Sequence, residues 1–332
     1  MKPKSLTMEA VALKAGVSIT TVSHVVNKTR HVNQETKDAV LKVIEELHYR
    51  SSKRALSNRE NICIGVILAD AREDYYIAMI KTIESTVTDY GVSAIFCDSE
   101  ADYEKEKRNI RVLLDRKVNG LLLAPADADR MPRILQKLSI PVILIDRQYE
   151  SHSFLAVGIN NFRSSYLGTR CMLEKGCKNI GFIGYSDPVY TIRQRTQGYK
   201  SAMLEFDQTF IPQVLDLKYN GGNSFPLIKQ FILDEGFDGL VCATSTLCYE
   251  LIEVFDTLSA DIQKKLKIIT FDDNRWFDYL KYPLSVISQP VAEIGNAALE
   301  NLLQMIEQKN SACKVKRELL FDVSIIERIK QG

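Results

Sequence analysis

Charged and polar residues stand at the ends of short apolar runs throughout the second part of this 332-residue chain. Asp70 stands one residue beyond "ICIGVIL", Asp146 and Arg147 follow "PVILI", Asp272 and Asp273 follow "KIITF", and Gln289 follows "SVIS". Pro125, Tyr185 and Thr244 occupy comparable places. A guanidinium facing a carboxylate grips a polyol or an anion through paired hydrogen bonds. Covalent chemistry has no such footing: the chain carries no GxxxxGK[ST] phosphate loop, no GxSxG elbow and no HExxH pair, and "GFIGYS" lacks GxGxxG spacing. His24, His31, His48 and His152 are not grouped, and the cysteine pairs 171/177 and 242/248 are too widely spaced for a metal knuckle. The pair Asp272-Asp273 reads as a hydrogen-bonding site rather than a metal site. The residues therefore point to binding, with no metal, no cofactor and no enzyme activity expected.

The elements that must position these groups are legible from the apolar runs. "ICIGVIL", "SAIFC", "GLLLAP", "PVILID", "NIGFIGY", "GLVCA" and "KIITF" are nearly all apolar and separated by helical stretches. Such runs are parallel strands covered on both faces, and right-handed crossovers make a doubly wound α/β architecture. The series breaks near 148–160, which gives two lobes: one about 61–160 completed by 290–332, the other about 161–288. The final helix "VAEIGNAALENLLQMI" and strand "ELLFDVSII" are expected to brace the first lobe. Ligands sit at the carboxyl ends of strands in such sheets, so the strand-end residues would face one another across a cleft.

Residues 1–59 differ from the rest. They hold eleven Lys/Arg against five Asp/Glu, whereas the other 273 residues hold 32 against 37. A basic head on a mildly acidic body suits contact of the head alone with a polyanion. Three helices fit here: "MEAVALKA" stopped by Gly16, a second helix capped by Ser18, and "QETKDAVLKVIEELHY" capped by Asn33. Val11, Ala12, Val22, Val25, Val26, Val40, Leu41, Ile44 and Leu47 are the expected inward residues. The first two helices, joined by a short turn containing Gly, have the form of a helix-turn-helix whose second helix enters the DNA major groove. Ile19, Thr20, Ser23 and His24 lie on its exposed side. A packing domain with no DNA partner is the alternative reading of the helices alone.

"VALKAGVSITTVSHVVN" followed by "VNQETKDAVLKVIEELHY" resembles the DNA-binding head of the lactose-repressor (LacI/GalR) family, almost without a gap from Thr7 to Tyr49. "VGINN", "GYKSAM", "FDD" and "SQPVAEIG" extend the resemblance through the body. It implies a helix-turn-helix domain over 1–50, a hinge over 51–60, and a two-lobed periplasmic-binding-protein-like core over 61–332 for effector binding and dimerisation. It places Ile19, Thr20 and His24 at base-reading positions and Ser18, Thr21, Ser23, Asn27 and His31 at phosphate-contacting ones. Leu56, in "YRSSKRALSNRE", matches the leucine that wedges into the minor groove, although the Pro of the family hinge is absent and the segment is two residues short; an ordinary linker residue is the other reading.

In the core the resemblance makes Arg195, three residues before Gly198-Tyr199, the ligand-clamping arginine. It makes Asp272 the carboxylate that takes ligand hydroxyls, and it adds Asp146 and Gln289 to the pocket. An interlobe salt bridge is the alternative for Arg195 and Asp272. Asp70, Tyr75, Tyr76, Arg147, Arg193, Thr244 and Trp276 are further pocket candidates, although Tyr75 and Tyr76 could instead be helix-start core. Thr244-Ser245 replaces the family's Asn-Asp, and Arg147, Arg193 and Arg195 favour a sugar acid or sugar phosphate over a neutral sugar. The implied function is a cytoplasmic homodimeric repressor of carbohydrate-catabolism genes, bound to a pseudo-palindromic operator and released by a small effector. A corepressor-dependent regulator is the nearest alternative, and a plain small-molecule binding protein a more distant one. No run reaches the length of a membrane helix.

Overall fold

The computed structural model describes residues 8–18, 21, 22, 25, 33–46, 61–150, 153–186, 189–219, 222–282, 284–308 and 317–328. In the head, helices span Met8–Ala15 and Gln34–Glu46, and Thr21, Val22 and Val25 are helical between them. Gly16 stops the first helix at φ +68, where Val17 N–H reaches back to the Ala12 carbonyl at 3.1 Å. That six-to-one bond is a Schellman end, which a glycine in left-handed conformation makes at little cost. Both expected caps form: Ser18 Oγ accepts from Thr21 N–H at 3.0 Å, and Asn33 Oδ1 from Thr36 N–H at 2.8 Å. Val11, Ala12, Val22, Val25, Val40 and Val43 make the core. Leu41, expected inside, is 39% exposed, because the inward stripe of the third helix runs through Val40 and Val43, three apart. Val26, Leu47 and the Ile44 side chain lie outside the described residues.

The body contains two six-stranded sheets built on one plan. The first comprises β1 (Cys63–Leu68), β2 (Ser93–Asp98), β3 (Gly120–Leu123), β4 (Val142–Ile145), β5 (Leu155–Ile159) and β11 (Arg317–Phe321), in the order β11-β5-β4-β3-β1-β2. The second comprises β6 (Ile180–Tyr185), β7 (Gln213–Leu217), β8 (Gly239–Cys242), β9 (Lys267–Phe271), β10 (Leu284–Ser288) and β12 (Ser324–Arg328), in the order β12-β10-β9-β8-β6-β7. β3, β4, β6 and β8 are buried along their whole length, as strands covered on both faces must be. In each sheet the first strand lies between the second and third, so the strand order reverses at β1/β3 and at β6/β8. Ligand crevices open at such points.

Three departures from the sequence reading concern the strands. The stretch that breaks the apolar series contains β5, paired in parallel with β4. β7, whose residues are mostly half-buried, lines the far edge of the second sheet. The tail is also divided. The helix Val291–Glu307 does pack on β3, β4 and β5, and β11 joins the first sheet. After Asp322-Val323, however, β12 pairs antiparallel with β10 from Leu284↔Arg328 to Ser288↔Ser324. The segment 324–328 therefore completes the second lobe and covers what would otherwise be an open sheet edge.

Candidate functional site

The two lobes end equivalent strands in the same way. Asp146 after β4 and Asp272 after β9 both have left-handed backbones, φ 59 and φ 68. Asp146 N–H donates to Val157 O and Asp272 N–H to Ile287 O, each at 3.1 Å. Few residues other than glycine tolerate this conformation, and Asp is one of them. The turns aim both carboxylates into one cavity between the lobes, lined by Glu73, Tyr75, Asp146, Arg147, Tyr185, Val189, Thr191, Ile192, Arg195, Tyr219, Thr244, Asp272 and Gln289. The side chains close on one another, leaving about 10 Å³, roughly the room one water needs.

Each charged group there has a defined setting. Tyr76 OH donates to Asp146 Oδ2 and Gln289 Nε2 to Asp272 Oδ1, both at 2.6 Å. Burial pushes the Asp272 carboxyl up to about 6, against the opposing pull of Arg195 and Gln289. Burial likewise pushes Glu73 up to about 7, against Arg147. Arg147 is buried 3.6 Å from Glu73 and 3.7 Å from Asp146, yet its Nε and Nη1 have no hydrogen-bond partner among the described residues. Tyr75 OH and Gln289 Oε1 are equally unpartnered. Buried polar atoms are seldom left so, and four of them stand around this one cavity.

Arg195 is more fully engaged. Its Nε donates to Asn161 Oδ1 at 2.8 Å and its Nη1 to the Ala243 carbonyl at 2.6 Å, with the guanidinium 3.8 Å from the Phe271 ring centroid. Arg195 lies on the helix Tyr190–Phe206 and Asp272 follows β9, both in the second lobe, so no interlobe ion pair joins them. Thr244 caps the helix Ser245–Phe255, its Oγ1 accepting from Leu247 N–H at 3.2 Å.

Seven of the sequence-derived pocket residues therefore meet here: Tyr75, Asp146, Arg147, Arg195, Thr244, Asp272 and Gln289. Tyr76 joins them through its bond to Asp146. Three do not meet here. Asp70 is taken up by Arg72 at 2.6 Å and by Tyr219. Burial alone would raise the Asp70 carboxyl, but bonds from Arg72 and Tyr219 outweigh it and hold it low. Arg193 bridges Asp129 and Glu150, both at 3.1 Å, on the exposed rim. Trp276 packs its ring, tilted, against Tyr249 and Phe277. Glu73 and Tyr219 were not foreseen. Glu73 stands three residues past a strand-end aspartate, a signal that was available; Tyr219 follows β7 and was lost with that strand.

Behind the cavity, Glu106 is buried and accepts from Ala126 N–H at 2.6 Å and Tyr149 OH at 2.8 Å, tying together the loops after β3 and β4. Burial pushes its carboxyl up to about 7. Glu106, Glu73 and Asp272 thus hold protons in the folded chain at pH values where the unfolded chain has released them. Stability should fall as pH rises from about 4.5 to 7. Melting at pH 5 and pH 8 should give the lower Tm at pH 8, and Glu106→Gln should shrink the difference.

In the head, Ser18 and Thr21 hydroxyls lie 2.8 Å apart at the start of the second helix. Ile19, Thr20, Ser23, His24, Asn27, His31 and Leu56 lie outside the described residues.

Residues 7–52 match the family of bacterial regulatory proteins, lacI family, and residues 64–310 match a periplasmic binding protein domain. The HTH-type transcriptional regulator RegA of Clostridium saccharobutylicum is 30% identical over 90% of this chain and 92% of its own. The chain belongs to the LacI family. It is accordingly a DNA-binding transcriptional regulator governed by a small-molecule effector, and not an enzyme. The LacI-family fold extends to solved structures. The lac repressor dimer bound to operator and the anti-inducer ONPF matches with a TM-score of 0.67 and 21% identity, over 97% of this chain and 98% of that one. The Cra dual regulator of Pseudomonas putida, in complex with fructose 1-phosphate, matches with 0.70 and 23%, over 81% and 99%. Among the described residues no helix of this LacI-family chain is long and apolar enough to cross a membrane.

Proposed function

We propose that this regulator represses carbohydrate-catabolism genes as a homodimer on a pseudo-palindromic operator and is released by a carbohydrate-derived effector held between its lobes. One observation carries the effector class. The carboxylates of Asp146 and Asp272 and the unpartnered atoms of Arg147, Tyr75 and Gln289 surround a single cavity. A polyhydroxylated ligand donates to the carboxylates and to Gln289 Oε1 and offers oxygens to Arg147 and Tyr75. Sugars, sugar acids and sugar phosphates share that chemistry. The case for an acid or a phosphate rests on Arg147, since Arg193 is outside the cavity and Arg195 is bonded within its own lobe. Fructose 1-phosphate in the Pseudomonas putida relative is in keeping with that choice.

On the DNA side, Ile19, Thr20 and His24 read bases, Ser18, Thr21, Ser23, Asn27 and His31 hold phosphates, and Leu56 wedges the minor groove. The test is selection of DNA by the purified protein, followed by mobility shift against salt and against fructose 1-phosphate, gluconate and ribose. Selective binding with a steep salt slope, weakened by an anionic sugar and not by ribose, is expected. His24→Ala should lose about 1–3 kcal/mol of discrimination at one base pair and leave the salt slope in place. Unchanged selectivity would remove His24 from the readers.

A further inference from the structure

Outside the cavity a second set of polar groups joins the lobes. The segment 70–76 leads from β1 into the helix Asp74–Tyr90, and its side chains divide between two tasks. Glu73 and Tyr75 line the cavity, whereas Asp70 and Asp74 meet side chains of the second lobe. Asp74 Oδ2 accepts from Tyr249 OH, on the helix Ser245–Phe255, and from Asn274 Nδ2, in the loop after β9. Asn274 Nδ2 also reaches Tyr249 OH at 3.2 Å, and Asn274 Oδ1 accepts from Trp276 N–H at 3.1 Å. The Trp276 ring covers the Tyr249 ring at 4.7 Å between centroids. Asp74, Tyr249, Asn274 and Trp276 are all half-buried, and none of them lines the cavity.

We propose that Asp74, Tyr249 and Asn274 form a latch that holds the lobes closed without effector, with Tyr219 on Asp70 as its second point. One carboxylate oxygen of the first lobe takes two donors, both from the second lobe, so opening separates all three groups at once. Water replaces these bonds at little net cost because the site is half-buried. The latch therefore biases the closed state without locking it. Asp74, Tyr249 and Asn274 are positioning residues outside the cavity: they act on a ligand only by setting the fraction of closed molecules, in which the cavity has room for about one water. That consequence rests on the cavity being the effector site; the latch itself does not.

Trp276 is the one tryptophan of the chain, which makes its emission a reporter of the latch. The test uses the full chain with no ligand added: emission, acrylamide quenching and small-angle scattering for the wild type, Asp74→Ala and Tyr249→Phe. Both variants should shift emission to the red, raise quenching several-fold and enlarge the radius of gyration, with unchanged far-ultraviolet circular dichroism. Asp74→Asn, which keeps one carbonyl acceptor, should fall between. Tyr249→Phe removes one oxygen and keeps the ring contact, so it remains informative if Asp74→Ala folds poorly. Wild-type quenching and scattering in Tyr249→Phe would overturn the latch, and that result is independent of whether any sugar binds the cavity.

Discussion

Gly198→Val is expected to unfold the second lobe. Gly198 lies in the helix Tyr190–Phe206 where it crosses the helix Asn161–Glu174, the most extensive helix–helix contact among the described residues. A Cβ at this position would stand 2.1 Å from the Phe162 carbonyl oxygen and 2.9 Å from the Tyr166 nitrogen. Both are backbone atoms of a regular helix and cannot swing aside as a side chain can. Replacing glycine by alanine in a helix interior ordinarily gains about 1 kcal/mol. Here the overlap reverses the sign, and the loss for alanine should be about 3 kcal/mol, with more for valine. Arg195 sits on one helix and its partner Asn161 begins the other, so forcing the helices apart also breaks the 2.8 Å bond between them. Urea unfolding followed by circular dichroism should show the loss directly.

Arg195→Ala should remove the effector response and destabilise the core together. Arg195 is 3% exposed, and deleting its guanidinium strands Asn161 Oδ1 and the Ala243 carbonyl and leaves Phe271 uncovered. Breaking a buried, hydrogen-bonded cation contact of this type costs about 3 kcal/mol. Arg195 also opposes the rise of the Asp272 carboxyl. Without it Asp272 should hold its proton to still higher pH, and the alkaline loss of stability should move upward with it. Arg195→Lys is the informative control. It keeps a charge near Asp272 but cannot reach Asn161 and Ala243 with one planar fork, so it should restore the pH profile more fully than the stability. Thermal melts across pH 5 to 8 separate the two effects.

The contrast between Arg193 and Arg195 shows how far sequence reading reaches. Both stand near a strand end, but residues two apart on a helix point to nearly opposite sides. Only one of them could face the cavity, and deciding which requires the helix phase. Asp70 fails for another reason: a local partner, Arg72, binds it first. The doubly wound plan was readable because fully buried parallel strands print as unbroken apolar runs, as in "GLLL" and "VILI". β7 was not, since an edge strand buries only part of each residue, and Tyr219 disappeared with it. The division of the tail was hidden because "ELLFDVSII" has one composition along its length while its pairing partners, β5 and β10, are distant in sequence. Asp146 and Asp272 were found through their strand ends, but nothing in the letters announced that both turns are left-handed.

The crossing of the tail also sets an order of manufacture. A chain leaves the ribosome from its N-terminus, and a domain encoded first is usually finished first. Here β11, the edge strand of the first sheet, is translated only after residues 161–288, which supply the second lobe's strands up to β10. The lobe encoded first is therefore completed late, and a nascent chain halted before residue 317 lacks a strand in both sheets.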